Sequence, residues 1–136
     1  PLQIAQERGI FAFGQAENML EFAPKATLTS IVDNWGPYYV KRVGELLAGT
    51  WNSTDTWDGI KQGTVEMAPY TNLPDDVVAM AKATADKISS GAFHPFTGPV
   101  KDNEGKTMIA AGQSLDDGAI LGMNWLVEGV LTRLPR

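Results

Sequence analysis

Phe13-Gly14-Gln15-Ala16-Glu17-Asn18-Met19 and Leu28-Thr29-Ser30-Ile31-Val32-Asp33-Asn34-Trp35-Gly36-Pro37-Tyr38-Tyr39 share one layout, in which apolar or β-branched residues give way to small and polar ones. Ile10-Phe11-Ala12-Phe13, entered and left by glycine, reads as a short strand buried on both faces. Thr27 to Val32 is rich in β-formers and reads as a second strand. Each strand then runs into a polar loop, and in open α/β sheets ligands bind beyond the carboxyl ends of strands. The two loops therefore read as two walls of a cleft that holds a small molecule, and neither carries a catalytic signature.

Outward from this pair, the pattern is alternately helical and extended. Pro1 to Arg8 reads as the end of a helix stopped by Gly9. Asp33 or Asn34 is placed to cap a helix whose apolar residues are Tyr39, Val40, Val43, Leu46 and Leu47, with Gly49 as its end. Residues 50–62 form a polar connection studded with indoles, and Gly63 to Ala68 reads as a third strand. Asn72-Leu73-Pro74-Asp75-Asp76 is a helix start with acidic residues in its first turn, followed by the stripe Val77, Ala81, Ala85 and Ile88 and the stop Gly91. A hairpin is predicted over Val100 to Ile109, a short helical turn from Ser114-Leu115-Asp116-Asp117, and a final extended segment from Met123 to Leu134. This order is that of an α/β protein.

With 136 residues, the chain has the size of one ordinary domain or of part of a larger one. A hydrophobic content of 43% with 20% charged residues is enough to build a core. The net charge of −5 opposes binding to phosphate backbones, so nucleic acid is not an expected partner. The absence of cysteine excludes disulfides, Cys-ligated zinc and thiol catalysis. No window is apolar for long enough to make a membrane helix. The chain opens on Pro1-Leu2-Gln3, which reads as a processed form or a piece of a longer protein.

Most of the reactive residue types have a structural explanation. His94 is the sole histidine and sits in Phe93-His94-Pro95-Phe96, too isolated for a catalytic triad or a histidine metal site. The pairs Asp75-Asp76 and Asp116-Asp117 fall at helix starts, where they complement the helix dipole. Asp102-Asn103-Glu104-Gly105 lacks the spacing of a calcium loop and reads as a turn, and Asn52-Ser53-Thr54 is a formal glycosylation sequon that matters only in a eukaryotic secretory protein. No glycine-rich phosphate loop is present, and no cofactor or metal is expected. The indoles are more informative, because three of the four (Trp35, Trp51, Trp57 and Trp125) lie in connections rather than on a periodic apolar face. An indole at a strand end offers a ring face and an N–H to a planar ligand, although it can equally plug the core beneath a loop. Amide side chains supply both donor and acceptor to a heterocycle edge. Gln15, Asn18, Asn34, Trp35 and Trp57 are accordingly the candidate ligand contacts, with no catalytic residue among them.

Several stretches taken in order resemble the C-terminal part of basic membrane protein (BMP), or PnrA-like, substrate-binding proteins of ABC importers. They are Phe13 to Met19, Phe22-Ala23-Pro24, Leu28-Thr29-Ser30, Trp35 to Tyr39, Gly49-Thr50-Trp51, Trp57-Asp58-Gly59, Phe96-Thr97-Gly98-Pro99, and Met123-Asn124-Trp125 with Gly129-Val130. The resemblance implies part of a type I periplasmic-binding-protein fold, a three-layer α/β/α architecture with parallel sheets in two lobes. It places about 1–20 and 64–100 in the C-terminal lobe and about 24–50 in the N-terminal lobe. It further implies a purine nucleobase or related nucleoside bound between lobes without catalysis, an ABC permease as partner, and a location in the periplasm or anchored to the cell envelope. An N-terminal half, or self-association, would cover the exposed apolar faces. Nucleoside-binding members carry an aspartate in the loop after the first strand. Here Ala16 and Asn18 stand in that loop, which tilts the expectation from nucleoside to free base, unless Glu17 takes the role. A sensory module feeding a signalling partner is the alternative reading, and a nucleobase-processing enzyme, which would need a metal or general base at the cleft, a more distant one.

Overall fold

The computed structural model describes residues 1–134, which divide into two compact units on either side of Ala92 and Phe93. The first unit holds α1 (Leu2–Glu7), β1 (Ala12–Ala16), β2 (Thr27–Asp33), α2 (Gly36–Leu47), β3 (Val65–Met67) and α3 (Asp75–Ser90), with 3-10 turns at Leu20–Phe22 and Ile60–Gln62. The second unit holds the hairpin β4 (Val100–Lys101) and β5 (Thr107–Ile109) and a short α4 (Asp117–Leu121). Mixed α/β character and parallel strands are both present, as expected.

In the first unit β2 is the central strand. It pairs in parallel with β1, through Gly14 opposite Ser30, Gln15 opposite Ile31 and Ala16 opposite Val32. Parallel neighbours need a crossover, and here it is the short stretch between Ala16 and Thr27, wound once into a 3-10 turn. β1 and β2 thus share one sheet. β3 joins the other edge of β2 antiparallel, with Ile31 opposite Met67 and Asp33 opposite Val65, so the chain leaves the sheet at the end of β2 and comes back along it.

The tightest packing lies under α1 and the start of β2. Leu2, Ala5, Ala23 and Ala26 are buried there, with Ala12 and Met19 packed against them. β2 buries Thr27, Thr29 and Ser30, and these hydroxyls all have partners. Thr27 Oγ1 donates to Ala23 O at 2.8 Å, Thr29 Oγ1 donates to Ala68 O at 2.7 Å, and Ser30 Oγ accepts from Met19 N at 3.1 Å. Satisfied hydroxyls avoid the desolvation penalty of buried polar groups. Asn72 adds a clasp, donating from Nδ2 to Pro24 O and to Thr27 O, both at 2.8 Å. Gly14 has no room for a side chain, because a Cβ would overlap Ser30 Oγ and approach Met19 Cβ to 2.9 Å.

Three sequence expectations need correction. The first strand starts two residues later than Ile10 and absorbs Gly14, Gln15 and Ala16, which the sequence assigned to its loop. It is not buried on both faces, since Phe11 is 62% and Phe13 is 66% exposed. Phe11 lies just before β1, and Phe13 faces an open apolar hollow that it lines together with Thr29, Met67 and the α3 residues Val77, Ala81 and Ile88. Neither Asp33 nor Asn34 caps α2: the cap position is Trp35, without a side-chain bond, and Pro37 supplies the pre-formed first turn. Met123 to Leu134 forms no strand; it meets the hairpin at an antiparallel bridge between Asp102 and Val127, and Asn103 Nδ2 donates to Val130 O and Thr132 O.

Other expectations hold. α3 buries Val77, Ala81, Ala85 and Ile88 partially, on one stripe, and ends on Gly91 in the left-handed conformation. The hairpin turns at Gly105, and Asp116 caps α4 by accepting from Ala119 N at 2.7 Å.

Candidate functional site

Parallel pairing sends β1 and β2 out of the sheet at the same edge, with Ala16 level with Val32. Beyond that edge the two loops behave differently. After β1 the chain curls back over β2: Asn18 Oδ1 accepts from Leu20 N at 3.2 Å, and Met19 N is held by Ser30. Asn18 therefore spends its carbonyl on its own turn, the common use of Asn in this setting. Gln15 is exposed on β1 itself, beside Ile31, and Ala16 has a positive φ of 69° at the strand's end.

After β2 the chain makes a junction with the start of β3. Asn34 N donates to Thr64 O at 2.8 Å, and Asn34 Nδ2 donates to Gly63 O at 3.1 Å and Glu66 Oε1 at 2.7 Å. The Asn34 side chain is thereby committed to tying the outgoing chain to the returning one. The next residue, Trp35, is 49% exposed and opens an aromatic cluster. Its ring meets Tyr38 edge-on at 5.7 Å and Tyr39 at 6.2 Å between centroids. Both tyrosines sit one turn along α2, so helical spacing brings them back beneath the indole.

The polar connection after α2 folds against that helix. Arg42 is the clasp: its guanidinium pairs with Glu45 at 2.9 Å, donates to Asn52 O at 2.6 Å and lies 5.4 Å from the centre of the Trp51 ring. Thr50 N and Trp51 N both donate to Glu45 O, at 2.9 and 3.1 Å. Held in this way, the connection carries Trp57 back toward Trp35. A recess of about 320 Å³ results, lined by Trp35, Tyr38, Thr54, Asp55, Thr56, Trp57, Asp58 and Thr64. This lies at the small end of ligand pockets, which run to about 300–1,000 Å³. An adjoining hollow of about 440 Å³ shares residues 54–58 and adds Lys41, Arg42 and Glu45.

Of the five sequence candidates, the structure brings Trp35 and Trp57 together in one recess. Asn34 stands next to it in the chain but is occupied at the junction, and Gln15 and Asn18 line neither hollow. Tyr38, Asp55 and Asp58 were missed. A tyrosine three residues after a strand-end indole was the available signal for Tyr38, while an aspartate in a polar loop has no periodicity to mark it. His94 is used locally, its Nδ1 accepting from Phe96 N at 3.2 Å. Among the described residues no three His, Cys, Asp or Glu side chains gather into a metal-binding group, and no helix is long and apolar enough to cross a membrane.

Comparison with known proteins identifies the family. Residues 2–94 match the family model described as ABC transporter substrate-binding protein PnrA-like. A purine-binding protein of Brucella abortus (strain 2308) is 50% identical over 135 residues, which is 99% of this chain and 39% of that protein. The chain thus spans about two-fifths of the length of that curated relative. A crystal structure of a transcriptional activator of the comK gene from Bacillus halodurans is similar in fold, with a TM-score of 0.61 at 19% identity over 69% of this chain and 34% of the other.

Proposed function

The chain belongs to the family of PnrA-like ABC transporter substrate-binding proteins, and from that premise we propose that it forms part of a receptor for a purine base or closely related heterocycle. The receptor would hold its ligand between two lobes, do no chemistry on it and hand it to an ABC permease outside the cytoplasmic membrane. The observation that carries this reading is the recess between Trp35 and Trp57, whose size and aromatic lining suit a flat bicyclic ring. Its support from outside the chain is the half-identical relative named for purine binding.

A free base is favoured over a nucleoside. In the loop after β1, Ala16 and a self-bonded Asn18 supply no carboxylate for a pair of ribose hydroxyls, which leaves Glu17 as the acidic side chain beside them. The lobe boundary also follows the sheet. We place β1, β2, β3 and α3 in one lobe, and assign α2 with the indole-bearing connection to the other, the crossings falling at Asn34 and Thr64. Closure about such crossings is the usual hinge motion of two-lobed receptors.

The test is calorimetric titration of the full protein carrying this chain with adenine, guanine, hypoxanthine and their nucleosides. A base should bind more tightly than its nucleoside. Removal of one stacking partner by Trp35→Ala should weaken binding by about 1–3 kcal/mol while the unliganded protein keeps its circular dichroism spectrum. Failure of every base and nucleoside to bind removes the purine assignment, and unchanged affinity in the Trp35 variant removes this recess from the site.

A further inference from the structure

We infer that the recess between Trp35 and Trp57 selects its ligand by exocyclic amino groups, which donate to the carboxylates of Asp55 and Asp58. This rests on the ligand-site reading above and adds to it the chemistry of the ligand's edge.

The lining divides into faces and rim. Trp35, Tyr38 and Trp57 supply aromatic surface, whereas Asp55, Asp58 and Thr64 supply polar atoms. Stacking is tolerant, since every heterocycle has a π-face, so the rings alone cannot tell one base from another. Discrimination falls to the polar atoms, and an ionised carboxylate only accepts hydrogen bonds. A ring edge that presents a carbonyl or bare nitrogen to Asp55 or Asp58 sets acceptor against acceptor. An edge that presents an amino group gains a charge-assisted bond.

Neither carboxylate is spent elsewhere in the fold. Among the described residues the one ion pair is Arg42–Glu45, and Arg42 is further engaged by Asn52 O and the Trp51 ring. Lys41 lines the adjoining hollow but not this recess. Asp58 has Thr64 Oγ1 at 3.5 Å, a long contact that orients the group without saturating it. No amide or cationic side chain contributes to the recess, so beside the hydroxyls of Tyr38, Thr54, Thr56 and Thr64 and the indole N–H groups its charged groups are the two carboxylates.

The experiment compares ligands that differ only by an amino group. Adenine and 2-aminopurine are each titrated against unsubstituted purine, using the full protein, Asp55→Asn and Asp58→Asn. The amino compounds should bind the unaltered protein about tenfold more tightly than purine, the worth of a hydrogen bond to a charged group. At least one Asn variant should abolish that preference, so that the amino compounds bind it no more tightly than purine does. An amide in place of a carboxylate keeps the shape of the site but adds a donor. Equal binding of purine and its amino derivatives, or a preference that survives both substitutions, overturns the inference and leaves the ligand-site reading standing. Failure of all three compounds to bind overturns both.

Discussion

At the scale of single residues, the sheet rests on one omission. Gly14 lacks a side chain where β1 crosses the Ser30 hydroxyl, and any Cβ there collides with β2 or with Met19. Gly14→Ala is expected to destabilise the protein by about 1–3 kcal/mol through overpacking, read from the midpoint of urea unfolding. Gly44, on the open face of α2, provides the contrast, because a Cβ there meets nothing within 4 Å. Gly44→Ala should stabilise by up to about 1 kcal/mol through helix propensity, and equal effects at the two sites would discount the steric account of Gly14. The sequence marks Gly14 as a strand-end glycine, but the reason for it lies across the sheet at a residue sixteen positions away.

At the scale of elements, α2 and the connection after it behave as one piece, and Arg42 is its fastener. Arg42→Met keeps an apolar stem of similar length while removing the ion pair, the bond to Asn52 O and the contact with Trp51, which alone is worth about 0.5–1 kcal/mol at an exposed site. Limited proteolysis within residues 52–58 should then become several-fold faster, with helix content unchanged by circular dichroism. Unaltered cleavage would mean that the backbone bonds to Glu45 O suffice. Elements of this kind were legible in unequal measure. α3 could be read almost to its ends, because the Pro-Asp-Asp start, the four-residue stripe and the terminal Gly91 are all local signals. The cap of α2 could not, because Asn34 is drawn instead to Gly63 O and Glu66, partners distant in sequence. The site was half legible for the same reason. An indole after a strand is visible in the sequence, whereas the pairing of Trp35 with Trp57 depends on how the Arg42 clasp folds the connection.

At the scale of the whole molecule, much of the apolar surface is without cover. Val40 is 74% exposed and Leu47 83%, both on α2, and the rings of Phe11 and Phe13 are exposed likewise. The Brucella abortus relative is two and a half times as long as this chain, and exposed apolar faces of this kind suit further packing. Residues 1–136 prepared alone should therefore self-associate with rising concentration in sedimentation experiments, and Val40→Lys with Leu47→Lys should reduce that association. A monomer at all concentrations would show that these faces need no cover. The junction at the root of α2 carries a different consequence. Because Asn34 is bonded to both Gly63 and Thr64, everything between them is a closed excursion whose two feet stand side by side on the sheet. The entropy of bringing those feet together is met at the junction itself, and it grows only slowly with the length enclosed. Recognition residues borne on such an excursion can be lengthened, shortened or exchanged for those of another sequence without shifting the register of β2 against β3. The segment between Asn34 and Thr64 is thus a natural cassette for grafting a new specificity onto an unchanged scaffold.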